Sequence, residues 1–122
     1  MTTREDFHAV FEQLKAILQK YKSRLVVTQN EPEGYSLNTP FTEKYAKPVF
    51  FGAVQVKKNY VSYHLMPVYM FPDLLDGISG DLKKRMQGKS CFNFKSSDKE
   101  LFGELARLTQ KSVQRLKREK LF

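Results

Sequence analysis

Cys91 is the single thiol of the chain, and His8 and His64 are its two imidazoles. A cysteine becomes a nucleophile when a nearby base or cation holds it as thiolate. Cys91 and His64 could form such a pair only if their strands lie side by side. No signature surrounds either residue, and the plainer reading makes Cys91 a small apolar group. Two His and one Cys cannot build a closed N/S metal centre. His8 belongs on the solvent side of a first helix, and His64 has only Met66 two positions on. Asp73, Asp76 and Asp81 lack calcium-loop spacing. No G-x-x-x-x-G-K-S or G-x-G-x-x-G motif offers a phosphate cradle. The residues therefore point to binding more than to catalysis, and to no resident metal.

Two sets of side chains could bind. Arg107, Lys111, Arg115 and Arg118 share one face of a C-terminal helix, and Lys83-Lys84-Arg85 precede it. Such a stripe could neutralise phosphates of a nucleic acid or another anionic partner, or could simply be a solvated face. The second set is Phe51, Gln55, Tyr60, Ser62, His64, Cys91 and Asn93. These would meet on the uncovered face of a sheet as converging polar groups beside softer walls, which suits a small-molecule site.

The elements must place them there. Phe7, Val10, Phe11, Leu14, Ile17, Leu18 and Tyr21 recur at helical spacing over residues 4–22. Thr2 and Glu5 read as the capping box of that helix. Leu25–Thr28 and Tyr35–Asn38 read as strands around the turn residues 30–34, and 39–47 as a loop. Val49–Lys57 and Tyr60–Met66 form a hairpin across Lys58-Asn59. Pairing Lys57 with Tyr60 fixes the register. Val56/Val61, Val54/Tyr63 and Gly52/Leu65 then face the core. Gln55/Ser62, Ala53/His64 and Phe51/Met66 face away. Loop 39–47 and segment 67–78, including the run Met66–Phe71, could cover that face or meet a second copy. Short helices are expected at about 73–76 and 79–87, and a strand at 90–95. Ser97 and Glu100 cap a helix reaching about residue 120, with Leu101, Phe102, Leu105, Ala106, Leu108, Val113 and Leu116 as its core stripe. The expected fold is α+β and two-layered. One curved antiparallel sheet of about five strands carries the N- and C-terminal helices on one face.

The chain has 122 residues and a net charge of +8, which fits one domain spanning 1–122. Residues 1–82 hold nine basic and nine acidic side chains, and residues 83–122 hold twelve and four. The excess thus lies in the last third. A hydrophobic content of 41% excludes a disordered chain. No apolar run approaches a bilayer span and no signal core follows the N-terminus, so a cytoplasmic protein is expected.

Gly34-Tyr-Ser-Leu-Asn38, Phe51–Leu65 and Gly88-Lys-Ser-Cys-Phe-Asn-Phe94 resemble the YdhG-like family, also known as domain of unknown function 1801. The resemblance runs over nearly the whole chain. It implies a helix-flanked α+β domain with a curved antiparallel sheet, and part of the family is described as frataxin-like and linked to iron delivery. A frataxin-like ridge needs carboxylates on the first helix and strand. Here Glu5, Asp6, Glu12, Glu31 and Glu33 are interspersed with Lys15, Lys20, Lys22 and Arg24. The expectation is a small non-enzymatic binding or chaperone-like domain. Its ligand, an unidentified small molecule or protein, would sit on the free sheet face. Nucleic-acid binding through the basic helix and frataxin-like iron delivery are the alternatives. The expected assembly is a monomer or weak homodimer, with no membrane partner.

Overall fold

The structure, a computed structural model, describes residues 4–121, with side chains from Asp6 onward. The Thr2–Glu5 capping box lies outside the described residues. Helix α1 spans Arg4–Gln19. Strands β1 (Val26–Glu31), β2 (Gly34–Asn38), β3 (Phe50–Val56) and β4 (Val61–Leu65) follow. Next come α2 (Met66–Met70), a 3-10 turn (Pro72–Leu75), α3 (Gly80–Lys83), β5 (Met86–Gln87), β6 (Cys91–Phe94) and α4 (Lys99–Arg118). The architecture is α+β. The strands form one open antiparallel sheet of six in the order β1-β2-β3-β4-β6-β5.

The helices supply one face of the core. Phe7, Phe11, Leu14 and Leu18 of α1 meet Tyr35, Leu37, Val54, Val61, Tyr63 and Leu65 of the sheet. Val68 of α2, Leu82 of α3 and Leu105 and Leu116 of α4 join the same cluster. All four helices thus bury side chains on the same side of the sheet. Two details set that packing. A Cβ on Gly52 would stand 2.9 Å from the His64 carbonyl oxygen and 3.4 Å from Leu18 Cδ2, so glycine is what lets β4 run this close to β3 beneath α1. The buried Tyr63 hydroxyl lies 2.6 Å from Thr109 Oγ1, which itself donates to the Leu105 carbonyl. With the threonine proton used there, Tyr63 is the donor, and the bond ties β4 to α4.

The hairpin register is as expected. Lys57 N–H donates to the Tyr60 carbonyl at 2.8 Å, and Gln55/Ser62, Ala53/His64 and Gly52/Leu65 pair. Three other expectations are corrected. The first concerns Phe51. Leu37 pairs Gly52 while Asn38 pairs Phe50, so Phe51 is the extra residue of a β-bulge. The bulge reverses the alternation, and Phe51 is fully buried in the core rather than on the free face. Met66 opens α2 instead of pairing with it, since Pro67 suits a first helical turn but not a ladder. The second concerns 79–87. The helix ends at Lys83, and the Arg85 carbonyl accepts the Asn93 N–H, which starts β5 and adds the sixth strand. Gly88, at φ 76°, then turns the chain toward β6. The third concerns the cap of α4. Asp98 accepts the Leu101 N–H at 3.0 Å, whereas Ser97 accepts from Gln13 at 2.8 Å. Residues 39–47 form a loop as expected, and it is pinned by its threonines. Thr39 exchanges bonds with Val49 and Thr42 bonds Lys47, and both threonines are buried.

Candidate functional site

The antiparallel pairing lines up two rows of side chains on the face opposite the helices. Ser36, Ala53, His64, Cys91 and Gln87 are successive cross-strand neighbours in one row. Gly34, Gln55, Ser62 and Asn93 form the next. Gln55, Ser62, His64, Cys91 and Asn93, named from the sequence, are therefore brought together. Each is half-buried. Tyr60 flanks them beyond the second row, next to the Lys57 pairing, and is also half-buried. Phe51 does not join them.

The bulge puts another aromatic in its place. The Phe50 ring meets the His64 ring edge-on at 5.0 Å between centroids. Burial of His64 lowers its pKa, which favours the neutral imidazole. Its Nε2 lies 2.8 Å from Ser90 Oγ, so its hydrogen-bonded neighbour is this serine at the entrance to β6. Cys91 is a free, half-buried thiol in the adjacent strand position. Asn93 Nδ2 donates to Gln87 Oε1, while Asn93 Oδ1 is buried and has no hydrogen-bond partner. At the far side Thr28 and Ser36 hydroxyls bond at 2.6 Å.

The face thus offers amide, hydroxyl and imidazole groups without a formal charge among Ser36, Gln55, Ser62, His64, Cys91, Asn93 and Gln87. Gly34 and Ala53 are buried within these rows, and the Gln29 side chain lies over Gly34. Phe50, Ser36, Ser90 and Gln87 were not singled out by sequence reasoning. Ser36 and Gln87 were readable once the strand order is known. Phe50 required the bulge, and Ser90 required the turn after Gly88.

The basic residues are less uniform than their periodicity implies. Arg107, Lys111 and Arg118 are exposed. Arg115 is not a free cation. It donates to Asp73 at 2.7 Å and to Glu119 at 3.2 Å, and its guanidinium stacks on Phe71 at 4.4 Å. It fastens the 3-10 turn to α4, and its hydrogen bond holds the Asp73 carboxyl below its ordinary pKa. Among the described residues no three His, Cys, Asp or Glu side chains converge to hold a metal ion. His8 is exposed and lies 3.9 Å from Glu12. No described helix is long and apolar enough to cross a membrane.

Comparison of the chain with family models, with curated proteins and with solved structures gives no match.

Proposed function

We propose that the chain is a YdhG-like binding domain that holds a small, uncharged, hydrogen-bonding molecule on the open face of its sheet. The observation that carries this reading is the pair of cross-strand rows, which gathers Gln55, Ser62, His64 and Asn93 on a face opposite the helices. Ser62 and Gln55 supply both donors and acceptors. Phe50 and Tyr60 wall the two sides with aromatic surface. The two rows themselves carry no formal charge, which favours uncharged ligands over ionic ones, and Lys57 stands at their rim opposite Tyr60. Amides, nucleobases and sugars have the matching chemistry.

The test is a thermal-shift screen of uncharged metabolites, followed by amide chemical-shift mapping of any hit. A ligand at 100 times its Kd stabilises the fold by about 2.7 kcal/mol. The expected shifts fall on β3, β4 and β6. Ser62→Tyr, at a half-buried strand position in the middle of the second row, should block contact with Gln55 and Asn93 and abolish binding without unfolding the domain. Hits whose shifts map to the helical layer, or that bind Ser62→Tyr as well as the parent, would refute the reading.

A further inference from the structure

The positive charge of the helical layer lies on both flanks of α4, and only one flank is uncompensated. Toward the 3-10 turn, Arg107 and Lys111 line a cleft of about 320 Å³ together with Asp76 and Glu104. Arg115 on that side is already paired with Asp73 and Glu119. On the other flank, between the end of α1 and the second half of α4, lies a groove of about 380 Å³. Lys20, Arg24 and Lys117 line it beside Ser23, Gln110 and Gln114, and among the described residues no carboxylate does. Among the described residues these three cations make no ion pair. Helix dipoles explain a cation near each C-terminus, but not the lack of an acid across the groove.

We propose that this groove docks the phosphate backbone of a nucleic-acid duplex. Lysine, arginine, serine and glutamine are the side chains that contact phosphate oxygens. The polar groups lining the groove are all exposed, so none is preset to enclose a small molecule. Lys22 beside the groove and Arg118 next to Lys117 are also exposed and lengthen the positive surface, as a polymer of phosphates requires. The exposed large apolar side chains Val26, Val27, Phe41, Tyr45 and Tyr69 lie outside this groove, so it lacks the apolar anchors of a membrane-binding face. The lining Tyr21 is packed against the core and half-buried, which disfavours a stacking platform for single strands.

Fluorescence anisotropy with a labelled random-sequence 20-base-pair DNA duplex tests this. Three neutralised phosphates give a slope of about −2.7 in log K against log salt, or roughly 40-fold between 50 and 200 mM. Lys20→Gln/Arg24→Gln/Lys117→Gln should lose that affinity and that slope while keeping the parent's thermal midpoint. Arg107→Gln/Lys111→Gln should lose less. Absence of binding at 50 mM salt would overturn the proposal, as would undiminished binding by the triple variant. Competition by inorganic triphosphate or by poly-glutamate at charge-equivalent concentration, as strong as by unlabelled duplex, would overturn it too. The first would make the groove a small-anion site, and the second a site for acidic protein.

Discussion

Two buried tyrosines on the same face of the sheet illustrate how much one hydrogen bond decides. The Tyr63 hydroxyl donates to Thr109, and the Tyr35 hydroxyl is buried with no partner. Tyr63→Phe removes a donor and should destabilise the domain by about 1–2 kcal/mol in urea unfolding. Tyr35→Phe removes a group that is already unsatisfied, so it should be neutral or stabilising by up to about 1 kcal/mol. Equal losses in the two variants would contradict the bonding described. Nothing in the sequence separates these residues, because each stands at an inward position of a strand. Their difference comes from what a distant helix presents to them. The same holds for Ser97 and Asp98. Either can cap a helix, and the contact of Gln13 with Ser97 accompanies capping by its neighbour.

At the scale of elements, the close approach of β4 to β3 depends on the missing side chain at Gly52. Gly52→Ala places a methyl group 2.9 Å from a backbone oxygen that cannot swing away. It should cost about 1–3 kcal/mol, read as a lower denaturation midpoint at unchanged slope. A cost near zero would mean that the β3–β4 pair can shift freely at this point. The hairpin was legible because two residues separate its strands and only one register sorts apolar from polar side chains. That single deduction placed Gln55, Ser62 and His64 correctly. It failed at Phe51 because Phe50 and Phe51 are identical neighbours. Periodicity cannot say which of two phenylalanines turns inward when a bulge intervenes. The helix at 79–87 was overextended for a related reason. Lys83-Lys84-Arg85-Met86 has good helix formers, but strand pairing with β6 claims the end of that run.

For the whole molecule, the sheet separates two chemical environments, and pH reads one of them. His64 is half-buried with its pKa lowered by burial, so the folded state favours the neutral ring. The unfolded ring protonates near pH 6.5. Below that pH the unfolded state therefore binds more protons than the folded one, and stability falls as pH drops from about 6.5 toward the lower folded value. The loss should level off once both states are protonated. His64→Asn should flatten this segment of a stability-against-pH curve, and a parent curve already flat there would contradict it. The charge separation was partly visible in the chain. The last third holds the excess positive charge, but Lys20 and Arg24 come from the balanced part and reach the same groove only through the packing of α1 on α4.

Placing every helix on one side of the sheet also gives the protein a handle for orientation. The groove cations Lys20, Arg24 and Lys117 stand on the helical side, while the cross-strand rows on the opposite face carry no formal charge. A polyanion drawn to those cations would meet the helices first. The open strands then point outward, and whatever they hold stays reachable from solution.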